Sequence, residues 1–118
     1  MKAYKIFKKR KDGTLGSLFI NSRAKLPVGE WMKAKGYRKK GFAYRPGWHC
    51  TFTPLAPHLE VGGDGVGKNR IWAEVEVKDF TTFDRPEHQG GAWVLSNNLK
   101  IVQEISLEEV NRILREKI

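Results

Sequence analysis

Glu74 and Glu76 stand two residues apart in "RIWAEVEV", which places two carboxylates side by side on one strand face. Such a pair can bind a cation or push one pKa upward for acid–base work. Alternation with apolar neighbours also explains them as the solvated face of a sheet. His49 and Cys50 adjoin in "RPGWHC", and His58 follows eight residues after Cys50. Three such ligands could serve zinc, but adjacent strand residues point to opposite faces, so His49 and Cys50 do not share an ion. The sequence therefore assigns no metal and no cofactor; it predicts a buried Cys50 and a hydrogen-bonded His49. "DRPEHQGGAW" sets Asp84, Arg85, Glu87 and His88 on a loop that ends in two glycines. In an enzyme acting on a nucleotide or NAD-like ligand, the catalytic set would be His49, Glu74, Glu76, Arg85 and His88. No G-x-S-x-G elbow, no H-E-x-x-H and no second cysteine accompanies them.

"VGGDGVGKN" comes within one residue of a phosphate-binding loop. Gly62, four residues, then Gly67-Lys68 match G-x-x-x-x-G-K-[ST], but Asn69 occupies the hydroxyl position. A phosphate loop also needs a helix straight after it, whose N-terminus adds positive potential. Here a strand pattern follows. The stretch is read as a flexible connection.

The charge is a stronger signal. The 118 residues carry a net +9, distributed unevenly. Residues 1–50 hold 14 Lys and Arg against 2 Asp and Glu; residues 51–118 hold 8 against 11. A surface with one positive side attracts polyanions through counterion release. The nucleic-acid-binding candidates are Lys8, Lys9, Arg10, Lys11, Arg38, Lys39, Lys40 and Arg45. Trp31, Tyr37, Tyr44 and Trp48 lie among these cations, an aromatic-plus-basic mixture that suits single strands. The expected partner is a nucleic acid, a host nucleoprotein or an acidic protein.

The elements that must position these groups read as follows. "KAYKIFKK" alternates as a strand, Asp12-Gly13 forms a turn, and "LGSLFI" returns. "EWMKAKGY" is a short helix or an irregular strand. Trp48 to Thr53 is a short strand after the Pro46-Gly47 turn, and "PLAPHL" is one helical turn. In "RIWAEVEV", Ile71, Ala73, Val75 and Val77 face one way and Trp72, Glu74 and Glu76 the other. "KDFTTFDRPEHQGG" is a connection, and "AWVLSNNLKIVQEI" is two strand pieces around Asn97-Asn98. "SLEEVNRILREKI" is an amphipathic helix with a Ser106/Glu109 capping box and a Leu107, Val110, Ile113, Leu114 stripe. The fold class is α+β: one domain over 1–118, a small, mostly antiparallel sheet with a C-terminal amphipathic helix packed on it. No apolar run is long enough to span a bilayer, and no signal peptide is legible, so the expected location is cytoplasmic, with no membrane partner.

The blocks "RPGWHC", "APHL", "RIWAEVEV" and "RPEHQGGAW", with the opening "YKIFKKRKDGTLGSLFIN", resemble a group of small proteins encoded by bacteriophages and prophages. The resemblance implies a phage-encoded accessory or anti-defence protein of the host cytoplasm. A remoter similarity, to ADP-ribosyltransferase-like folds, rests on "AYKIF", the His of "GWH" and the E-x-E of "AEVEV". The S-T-S element of those folds has no counterpart here. The leading expectation is a non-enzymatic polyanion-binding protein, and the alternative is the small enzyme.

Overall fold

The computed structural model describes residues 1–18, 23–34 and 47–116. Among the described residues, six strands lead into one α-helix: β1 Lys2–Lys9, β2 Leu15–Gly16, β3 Trp31–Lys33, β4 Trp48–Thr51, β5 Arg70–Asp84, β6 Ala92–Ile105 and α1 Leu107–Glu116. The pairings between these six strands are all antiparallel. This is the mostly antiparallel α+β architecture that alternation and the final capping box predict.

The pairing closes on itself. β1 pairs β5, β5 pairs β6, β6 pairs β4, and β4 returns to β1 through Tyr4 and Thr51. β3 adds to β6 beyond β4, on the side away from β5, and β2 to β1. A ring of four strands is too narrow to leave a lumen, so side chains fill it. Ala3, Phe7, Cys50, Ala73, Val75, Val77, Val94, Leu99 and Ile101 form this interior, each 0–1 % exposed. A second cluster lies on the outside of the ring. There Tyr4, Ile6, Trp72, Trp93 and Ile105 are buried with Ala56 and with Val110 of α1, and Ile113 and Leu114 pack against them. The strands around the ring therefore carry apolar residues on both faces, which explains why Trp72 is buried on the side that alternation alone would leave to solvent.

Two capping features fix the ends. Ser106 Oγ accepts the Glu109 N–H at 3.1 Å and so satisfies one of the open donors of α1. The turn after β1 is closed by Gly13 N–H to the Arg10 carbonyl, with Gly13 at φ 87°, a conformation that glycine adopts without strain.

The structure departs from the sequence reading in several places. β2 holds only Leu15–Gly16 of the strand expected over "LGSLFI", with Ser17 and Leu18 outside it, and β4 ends at Thr51, short of Thr53. β5 runs on to Asp84 instead of ending near Val77, because Phe80, Thr81, Thr82 and Phe83 favour extended backbone and no breaker precedes Pro86. "PLAPHL" contains a turn, Leu59 N–H to the Ala56 carbonyl, and no helix; Pro57 follows Ala56 directly and leaves no room for one. β6 is continuous, with an irregular rung where a break between two pieces was expected. Val94 and Ser96 face the interior, and so do Leu99 and Ile101, which requires one surplus residue between the pairs. The matching surplus on β5 is Asp79, at φ 56°. Ser96 Oγ donates to the Asn98 carbonyl (2.6 Å) or the Lys78 carbonyl (3.0 Å), and Asn98 Nδ2 donates to Asp79 Oδ2 at 2.9 Å. The side chains thus replace ladder bonds that the rung lacks.

Candidate nucleic-acid interface

β3, β6 and β5 lie side by side, and their register decides what shares the outer face. Trp31 is opposite Lys100, and Lys100 is opposite Glu76; Lys33 is opposite Asn98, and Asn98 is opposite Lys78. The intervening Met32, Leu99 and Val77 turn inward. One outer patch therefore carries Trp31, Lys33, Lys78 and Lys100. The Lys78 ammonium lies 4.1 Å from the Trp31 ring centroid and the Lys100 ammonium 5.3 Å. At an exposed site each such contact contributes about 0.5–1 kcal/mol. Among the described residues, none of these three lysines makes an ion pair. The two carboxylates nearby are engaged. Glu76 pairs with the chain's amino terminus at 3.4 Å, and Asp79 accepts the Asn98 amide.

Trp31 is 44 % exposed, while Trp72 and Trp93 are each 5 % exposed, and half-buried Trp48 donates Nε1–H to the Met32 carbonyl at 3.3 Å. Its strand is held firmly. Gly29 N–H donates to the Ile101 carbonyl (2.8 Å), Ala34 N–H to the Asn97 carbonyl (2.7 Å), and Val28 bridges Ile101 in parallel.

The basic residues singled out in the sequence occupy other positions. Lys8 and Lys11 are exposed at the β1–β2 end. Lys9 pairs with Glu104 at 2.9 Å, and Arg10 is half-buried, donating to the Ala24 carbonyl at 3.1 Å. Arg38, Lys39, Lys40 and Arg45, with Tyr37 and Tyr44, lie outside the described residues. Lys78 and Lys100 were missed because the acidic half of the chain carries them. The one local hint was Trp31, an aromatic beside Lys33 in a polar stretch.

The candidate catalytic set divides. Glu74 pairs with Lys2 at 3.6 Å and is only 20 % exposed, so it does not sit on an open face. Arg85 lies over the Trp93 ring at 4.7 Å and over the Phe83 ring at 5.8 Å. His49 meets Phe83 edge-on at 5.6 Å, and His58 tilts against Trp93 at 5.7 Å. Burial, with the nearby charges of Arg85 and His88, lowers the His58 pKa. His49, Arg85 and His88 thus belong to the aromatic end of the β5–β6 hairpin. Glu76 and Glu74 lie seven and nine residues from Phe83 on β5, about 23–30 Å along the strand. Among the described residues, no three His, Cys, Asp or Glu side chains converge as a metal would require.

Cys50 is fully buried in the ring, and burial pushes its thiol up to about 11. Lys5 enters the same interior and donates to the His49 carbonyl at 2.9 Å; withdrawal from water lowers its pKa. Three N–H groups of the glycine loop and its exit bond within it. Gly62 donates to the Gly67 carbonyl (2.7 Å), Lys68 to Gly65 (3.1 Å) and Arg70 to Gly67 (3.0 Å), and β5 follows instead of a helix. Donors spent in this way cannot cradle a phosphate.

Comparison with protein-family models, curated proteins and solved structures finds no match to this chain. Among the described residues, no helix is long and apolar enough to cross a membrane.

Proposed function

We propose that this protein binds a polyanion, nucleic acid first among them, through the outer face of β3, β6 and β5, as a phage-encoded accessory factor acting in the host cytoplasm. One observation carries the reading: two ammonium groups flank an exposed indole, a third lysine shares its face, and none of the three is neutralised by a carboxylate among the described residues. Side chains that form no internal ion pair are available to phosphates, and each contact made releases a counterion. Exposed Lys8 and Lys11 extend the positive surface at the other end of the ring.

The test is binding to a generic oligonucleotide over a salt series, for wild type and for Lys78→Ala/Lys100→Ala. Removing two phosphate contacts reduces the log–log salt slope by about 1.4 on single strands and about 1.8 on duplex DNA. An unchanged slope refutes the assignment to this face. Absence of binding at low salt, together with binding to polyglutamate, replaces nucleic acid with an acidic protein partner.

A further inference from the structure

We infer that the Trp31 face takes single-stranded nucleic acid, with an unpaired base stacked on the indole and the flanking phosphates held by Lys33, Lys78 and Lys100. This rests on the polyanion reading above and specifies its ligand.

The argument begins with the indole. Of the four tryptophans, two are buried and one is half-buried with its N–H bonded to a backbone carbonyl; Trp31 alone is exposed at 44 %. A large ring left in water has unspent apolar area, and its flat face fits another flat face. Trp31 is also already in position. β3 is fixed to β6 on both sides of it through Gly29, Ala34 and Val28, so stacking costs little ordering.

The cations give the second half of the argument. Lys78 and Lys100 approach Trp31 from two neighbouring strands, and Lys33 lies two residues along on the third. An exposed ammonium–ring contact is weaker than base stacking, and a flexible lysine can move from ring to phosphate without unfolding anything. A base arriving on Trp31 therefore displaces weak contacts and brings its own phosphates to the displaced ammoniums.

The geometry separates single strands from duplexes. Inside a duplex each base face is covered by its neighbours, and only edges and phosphates reach a sheet surface. An indole on that surface then has nothing to stack on, and the lysines alone contribute. Stacking also tolerates any base, because every base has a π face. The ligand class is accordingly an unpaired strand of mixed sequence.

The test uses the whole chain, a twelve-nucleotide oligothymidylate and a twelve-base-pair duplex of mixed sequence, followed by anisotropy at low salt. Trp31→Ala lowers affinity for the single strand about ten- to hundred-fold and leaves the duplex affinity unchanged, while Trp31→Phe recovers most of the loss. The single strand also protects wild-type tryptophan emission from iodide quenching, which the duplex does not. Melting curves of both variants establish that they fold. Equal loss for single strand and duplex, or no loss for either, overturns the stacking assignment and leaves the polyanion reading intact. No binding of either probe by the wild type overturns the single-strand assignment and removes nucleic acid from the polyanion reading, leaving only its acidic-protein form.

Discussion

Replacing Gly67 by alanine lowers the melting temperature by about 4–12 °C, and replacing Gly65 in the same loop does not. A methyl group on Gly67 would sit 2.6 Å from the Glu60 carbonyl carbon, 2.7 Å from its oxygen and 2.8 Å from the Val61 nitrogen. Ordinary contact begins near 3.4 Å, and all three atoms are backbone, so no side chain can swing aside. The loop must move, and the Gly67 carbonyl moves with it. That carbonyl accepts from Gly62 and Arg70. Two bonds at about 0.5–1.5 kcal/mol each set the loss at about 1–3 kcal/mol. The usual penalty for overpacking is about 1–3 kcal/mol and describes the same displacement, so the two figures are not added. For a chain of this size about 4 °C accompanies each kcal/mol. At Gly65 the methyl would meet only Glu60 Oε2 at 3.5 Å, and restricting the unfolded chain adds about 0.4–1 kcal/mol of stability. Thermal melts of the two variants beside wild type provide the assay. Equal melting of Gly67→Ala and wild type would refute the view that Gly67 serves close packing; saturable ATP binding lost in Lys68→Ala would restore the phosphate-loop reading.

Two further outcomes concern the ring interior. Lys5 has a pKa below its ordinary 10.5 in the folded state, so unfolding takes up a proton between the two values, and this lysine's contribution to stability rises with pH toward 10.5. Wild type should therefore gain stability relative to Lys5→Met as pH is raised toward 10.5, measured by denaturant titration; a gap independent of pH would show that the ammonium is not desolvated. Cys50, raised from 9.0 to about 11, acts in the opposite sense: its unfolded form loses a proton first, and stability falls as pH rises from about 9 to about 11. Its thiol should label with a disulfide reagent at pH 8 only at the rate of global opening, and rapid labelling of the native protein would contradict its burial.

Local patterns were legible where one residue's neighbours in sequence are also its neighbours in space. The alternation of β1 and the first half of β5 gave strand and facing, and Ser106 with Glu109 marked the start of α1. The turn at Asp12-Gly13 and the strand after the glycine loop belong to the same class. The candidate interface is of the other kind. Trp31, Lys78 and Lys100 meet because β3 and β5 flank β6, and no local spacing encodes which strands become neighbours. Composition pointed to the wrong half of the chain for two of the three. Of the basic run that composition favoured, Lys9 and Arg10 hold Glu104 and Ala24. The aromatic end of the β5–β6 hairpin was equally hidden. The sequence sets Arg85 on a glycine-ended loop with Asp84, Glu87 and His88, whereas it lies over Trp93 and Phe83.

The irregular rung on β5 and β6 also bears on how this chain can vary in length. In an evenly pleated strand, losing one residue turns everything beyond it over. Loss of Glu76, for example, would put Val75 and Val77 on opposite faces. Asp79 and Asn97 are exceptions, since each is surplus to the alternation of its strand, and so is Val102, which β5 skips between the Glu74–Gln103 and Val75–Ile101 pairs. Excising Asp79 and Asn97 would join Lys78 to Phe80 and Ser96 to Asn98 with every side chain still on its present side. Val94, Leu99 and Ile101 would stay inside the ring, and Trp31 would still find Lys78 and Lys100. Insertions and deletions among descendants of this sequence should therefore accumulate as matched pairs at that rung or singly at Val102, and alignments of such sequences should show gaps at these two places before they show them elsewhere in the two long strands.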